Sequence, residues 1–284
     1  MSSPESHVPP SDCSIPVRCA DSGVPHLQHH ASLPLPFLLL RPSFSTTNRL
    51  PALLLLLHGT GADEEYLLPV GRAAQASAAA VGRALVVASL RAPLPHPERG
   101  YRWFRGITAA PEAGALDEDL PSAVDAVLEF ACSAPSVFST NPSSTLLLGF
   151  SQGAAVGWAV STTLWGAHRN DALAGCALFA GRLFDEHIMR GHPLAARVAP
   201  KSELVKRRIA AFHGTADTRC PFDFTAATLT AAISLGLWDE SGALDGRRAS
   251  FSRHDGGHEL PSPELDQAFQ TMWAWLDDDE RHGR

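Results

Sequence analysis

An α/β architecture, with a mainly parallel sheet covered by helices on both faces, is predicted by three observations. Apolar runs of strand length alternate with segments of helical length over most of the chain. The apolar run 146–149, fit for a buried strand, leads straight through a tight turn into the helix-like stretch 152–165. A chain of 284 residues, 45% of them hydrophobic, is also long enough to bury a sizeable core.

Taken in order, the chain opens on a leader. Seven of the 22 prolines fall within the first 36 residues, so 1–30 is expected to be a flexible tail preceding a single domain over 31–280. Runs 33–40 and 52–57 read as early strands separated by the polar turn region 43–51. The Ala-rich stretch 64–80 is helix-prone, and Asp63, Glu64 and Glu65 suit the positive end of its dipole. Strand 84–89 follows, then a long Pro- and Gly-rich loop over 93–114. An amphipathic helix is expected over 117–131 with Asp117 as its cap. Beyond strand 146–149 and helix 152–165 come strand 173–179, a mixed connection to 207, strand 208–212, helix 223–234, strand 248–253 and a closing helix 264–276.

Composition excludes several classes of function. A formal net charge of −7 argues against nucleic acid or an acidic membrane surface as partner. The one basic cluster, 201–208, contains Glu203 and reads as a solvated face. The five cysteines (Cys13, Cys19, Cys132, Cys176 and Cys220) are scattered without a C-x-x-C pair, which suggests neither a disulfide framework nor a zinc site. Reduced thiols in a cytoplasmic setting fit this pattern. Cys176 reads as a small core residue, and Cys220 as the thiol whose modification would touch activity. No run approaches the ~20 apolar residues of a membrane span, so stable membrane insertion is not expected.

The chemistry is concentrated at strand ends. Residues 146–153 read Leu-Leu-Leu-Gly-Phe-Ser-Gln-Gly, a strand entering G-x-S-x-G and then a helix, which is the context of a nucleophile elbow. The turn is too tight for side chains beside the serine, so glycine is required at Gly149 and Gly153. A serine hydroxyl needs an adjacent base, and that base needs an orienting group. Sheets of this type carry such groups in loops at the carboxyl ends of strands. After strand 208–212 comes His213-Gly214-Thr215-Ala216-Asp217, and after 248–253 comes His254-Asp255-Gly256-Gly257-His258-Glu259. Asp217 as acid and His258 as base satisfy both the order Ser, Asp, His and the location; Asp223, Asp255 and His254 compete with them. His254 and His258 lie in a loop, so their spacing does not put both rings on one helical face, and no metal site is expected. Strand 52–57 runs into His58-Gly59-Thr60-Gly61, where the backbone N–H of Thr60, with that of Gln152, is expected to hold an oxyanion. His58 itself reads as a loop-shaping residue. Trp103 and Phe104 either wall the substrate pocket or pin their loop to the core.

In this order L-L-H-G-T-G-A-D-E, Y-R-W-F-R-G, L-G-F-S-Q-G-A, H-G-T-A-D-T-R-C-P and H-D-G-G-H-E-L resemble the phospholipase/carboxylesterase family of α/β-hydrolases. The resemblance covers about 53–276 and implies a cofactor-free serine esterase with Ser151, Asp217 and His258 as its triad. It also implies Thr60 and Gln152 at the oxyanion hole and a small-molecule or lipid ester as substrate. The thioesterase branch of that family carries W-F-D where this chain has Trp103-Phe104-Arg105, and the H-G-T-G-A-D-E opening is closer to the carboxylesterase branch. A thioesterase acting on acyl-protein or acyl-CoA, and a non-catalytic binding module of the same fold, are the alternatives.

Overall fold

The computed structural model describes residues 25–44, 49–105, 119–162, 173–182, 208–223, 225–226 and 249–282. Its strands are β1 (Phe37–Leu40), β2 (Ala52–Leu57), β3 (Leu85–Leu90), β4 (Leu94–Pro95), β5 (Tyr101–Arg102), β6 (Thr145–Phe150), β7 (Gly175–Phe179), β8 (Ile209–Gly214) and β9 (Ala249–His254). The helices are α1 (Leu68–Ala80), α2 (Asp119–Phe138), α3 (Gln152–Thr162) and α4 (Ser262–Arg281). Seven strands form one sheet in the order β1-β3-β2-β6-β7-β8-β9; only β1 runs antiparallel, at the edge, and every other pair is parallel. The chain therefore has the predicted α/β fold.

Both faces of the sheet are covered, and β2 shows why its run is apolar at every position. Leu53, Leu55 and Leu57 pack on one face with Val124 and Val127 of α2 and Val156 and Val160 of α3. Leu54 and Leu56 pack on the other with Val70 and Ala74 of α1 and Phe269, Met272 and Trp273 of α4. Full burial of one such leucine is worth about 1.5–3 kcal/mol, so the two layers hold the sheet from both sides.

The observed elements differ from expectation at definable points. Gln28 exchanges two backbone hydrogen bonds with Phe37, and Pro34 and Pro36 confine β1 to four residues. Helix α1 starts at Leu68, with Pro at its first turn and no acidic residue there. Glu64 is thus not a dipole carboxylate. It is buried and bonds the Arg91 guanidinium through both oxygens, with Nε–Oε2 at 2.7 Å. Arg91 holds the Glu64 carboxyl below its usual range although burial alone would raise it. Within the expected loop 93–114, β4 and β5 form a two-stranded hairpin. Helix α2 continues past Pro135 to Phe138, because Phe130 and Phe138 pack edge-on around Phe37.

Several expected features fall outside the described residues: the 1–24 part of the leader, the Asp117 cap, the connection to 207 and most of the helix at 223–234. Of the basic cluster, only Arg208 is described, and it is paired with Asp278 and Asp279 of α4. No helix among the described residues is long and apolar enough to cross a membrane.

Candidate active site

Ser151 sits between β6 and α3 at φ 55°, in the left-handed region that non-glycine residues rarely occupy. Three close contacts keep it there. Its N–H donates to Phe179 O of the neighbouring strand at 2.8 Å, and its carbonyl accepts from Ala154 and Ala155 of α3. A Cβ at Gly149 would lie 2.5 Å from Gly153 O, and one at Gly153 would lie 2.1 Å from Leu57 O. The elbow thus requires both glycines for close approach of backbone to backbone.

Parallel register delivers the other groups to the same sheet edge. Asp217 follows β8 and His258 follows β9, adjacent strands paired from Ile209↔Ala249 to Gly214↔His254. The structure brings together Ser151, His258 and Asp217: His258 Nε2 lies 2.8 Å from Ser151 Oγ, and His258 Nδ1 lies 2.7 Å from Asp217 Oδ2. In the neutral state the imidazole donates from Nδ1 to the carboxylate and accepts the serine proton at Nε2. The carboxylate is buried, and its Oδ1 accepts the backbone N–H groups of Arg219 and Cys220, each at 2.9 Å. Of the competitors, His254 Nδ1 accepts from Gly256 N–H within its own loop.

Two groups in these loops carried no role in the sequence reading. His213 is buried under the Asp217 loop, donating from Nε2 to Cys220 O at 2.7 Å and lying 3.4 Å from Asp217 Oδ2. Burial depresses its basicity, so the ring is a neutral strut. Phe150 stacks on the half-exposed Tyr66 (centroids 5.9 Å apart) and lies against the His258 ring at a tilt of 47° (5.0 Å). Pairs of aromatics just before and after a turn are visible in sequence, but their stacking is not.

The cavity over Ser151 has a volume of ≈ 640 Å³ and is lined by Thr60, Tyr66, Phe150 and His258 among others, with Arg99, Arg219, Asp63 and Glu65 at its polar walls. Thr60 lines it directly, and Gln152 begins α3, where a first-turn N–H has no partner within the helix. Trp103 takes the pinning arrangement, not that of a pocket wall: it is fully buried, and its indole N–H donates to His58 O at 2.8 Å. Cys220, the thiol whose modification is expected to touch activity, lines the cavity, and burial pushes that thiol up to about 12.

A strained serine on a strand-to-helix turn, facing a histidine and a carboxylate from later strand ends of a mostly parallel sheet, defines an α/β-hydrolase. The family model for phospholipase/carboxylesterase matches residues 45–250. The chain belongs to that family and is an ester hydrolase of the carboxylesterase/thioesterase type. Among solved structures it is similar to a carboxylesterase from Mesorhizobium loti, at 21% identity and TM-score 0.62 over 88% of this chain and 98% of the other. It is likewise similar to the Bacillus cereus carboxylesterase, at 20% identity and TM-score 0.59 over 84% and 94%. A third is Zea mays acyl-protein thioesterase 2, at 18% identity and TM-score 0.54 over 84% and 97%. No curated protein matches the chain.

Proposed function

We propose that this protein hydrolyses carboxylic esters of small molecules or lipids through a Ser151–His258–Asp217 triad and an acyl-enzyme. The reading is carried by one observation: His258 spans Ser151 Oγ and Asp217 Oδ2 with hydrogen bonds of 2.8 and 2.7 Å. His258 Nε2 takes the Ser151 proton as Oγ attacks the ester carbonyl. The carbonyl electrons move onto oxygen, and the resulting oxyanion is held by the N–H groups of Thr60 and Gln152. Collapse of this intermediate breaks the ester C–O bond, and the proton on His258 goes to the departing alcohol. Water then repeats the sequence on the acyl-enzyme, and Ser151 recovers its proton. Asp217 keeps Nδ1 protonated and stabilises the imidazolium without becoming protonated itself. The Ser151 N–H is committed to Phe179 O, which leaves the Gln152 N–H as the elbow's donor. Loss of one such donor costs on the order of 10²–10³ in rate.

The test is turnover of 4-nitrophenyl acetate together with labelling by a fluorophosphonate. Wild-type protein is expected to turn over the ester and to be labelled at Ser151, and Ser151→Ala to lose both. Retained turnover in Ser151→Ala would exclude the mechanism. Oxygen esters are expected to outpace matched thioesters, in line with Arg105 standing where the thioesterase branch has an acid.

A further inference from the structure

Three side chains tie the two oxyanion donors together. The Gln152 side chain is held by the segment that follows β5: Oε1 accepts the Trp103 backbone N–H at 2.7 Å, and Nε2 donates to Phe104 O at 2.8 Å. Trp103 in turn donates its indole N–H to His58 O at 2.8 Å. The His58 ring, fully buried, donates from Nδ1 to Gly59 O at 2.8 Å and accepts the Ala92 N–H at Nε2. Burial lowers its proton affinity, so it stays in this neutral tautomer.

The Gly59 carbonyl belongs to the same planar peptide unit as the Thr60 N–H. In a trans unit the two point in opposite directions, so drawing Gly59 O toward His58 aims the Thr60 N–H the other way. Every link is a buried or half-buried hydrogen bond with both partners named, and loss of one leaves an unsatisfied polar group in the core.

We propose that Gln152, Trp103 and His58 form a brace that sets the direction of the Thr60 N–H and its spacing from the Gln152 N–H. The three are positioning residues for the oxyanion hole, and the inference rests on the serine-esterase reading above. The brace acts only on the tetrahedral state. Weakening it therefore lowers kcat and leaves KM in place.

The experiment uses the full chain, 4-nitrophenyl acetate, and a methyl trifluoromethyl ketone that adds to serine to give an oxyanion adduct. Gln152→Met keeps the backbone donor and removes both side-chain links; Trp103→Phe removes the indole N–H. Each is expected to lower kcat by about 10- to 100-fold with KM within about twofold, and to weaken ketone binding by the same factor. The double variant is expected to fall no further than the weaker single, because both cut one chain of contacts. Unchanged kcat and ketone affinity in Gln152→Met, or losses that multiply in the double variant, would overturn the brace. Because Trp103→Phe leaves a core void, Gln152→Met is the deciding variant should the former fail to fold. Wild type that turns over ester yet ignores the ketone would sink the oxyanion reading and the brace together; a ketone-sensitive wild type matched by Gln152→Met would sink the brace alone.

Discussion

The backbone N–H of Cys220 donates to Asp217 Oδ1 at 2.9 Å, and the same residue lines the cavity over Ser151. One residue thus holds the candidate triad acid from behind and lines the site in front. The thiol is held near 12 by burial first and by the Asp217 charge second. At pH 8 the thiolate fraction is therefore minute. Iodoacetamide at that pH is expected to leave esterase activity intact over a time that alkylates an exposed thiol. Rapid inactivation, blocked in Cys220→Ala, would contradict this.

Asp217 accepts three hydrogen bonds, two at Oδ1 and one at Oδ2 from His258. Asparagine has one oxygen, so Asp217→Asn must turn an amide NH₂ toward either two N–H donors or the imidazole N–H. Both placements oppose donor to donor. The expected result is a kcat lower by about 10⁴, as found where a triad acid loses control of the histidine tautomer. The rate of fluorophosphonate labelling at Ser151 reads the same defect without a substrate.

His58 and His213 both have proton affinities lowered, chiefly by burial. Each therefore binds more proton when unfolded than when folded as pH drops below the unfolded value of about 6.5. Their neutral burial is tolerated in full above that pH, and stability declines as pH falls from about 6.5 toward each folded value. The slope is at most about 1.4 kcal/mol per pH unit for each ring. Urea denaturation at pH 7.5, 6.0 and 5.0 is expected to show this loss, and His213→Gln to show a shallower one. Identical slopes for wild type and His213→Gln would refute the assignment.

Gly153 faces Leu57 O so closely that an added Cβ would sit 2.1 Å from it, and the obstacle is backbone in the central strand β2. Gly153→Ala must push α3 off the sheet. We expect a lowered Tm and a larger loss of kcat than of stability-matched core variants, since the shift moves Ser151 and the Gln152 N–H together. A melting scan beside steady-state kinetics checks it; wild-type values in both would show that the elbow has slack.

Much of this protein could be read from local pattern alone. The strand–turn–helix at 146–165, the strand-ending motifs at His58, His213 and His254, and the alternation that implies a parallel sheet are properties of neighbours along the chain. Hydrophobic period and turn chemistry suffice to see them. Element edges are less legible: the apolar run 33–40 yields a strand only from Phe37, and the helix expected from residue 64 starts at Leu68, because Glu64 has the look of a first-turn carboxylate. Its partner Arg91 lies 27 residues away and decided otherwise.

Tertiary structure alone decided which side chains meet. His258 reaches Ser151 across 107 residues, while His254, four positions earlier, is absorbed by its own loop. The parallel register of β6 to β9 sets that distance, and register is a property of the sheet, not of any segment. The same holds for Trp103, whose two readings were equivalent until the fold placed its N–H against the His58 carbonyl. Short-range sequence determines what each element can be; long-range packing determines what it faces, since the energy of a contact depends on partners that the local chain does not contain.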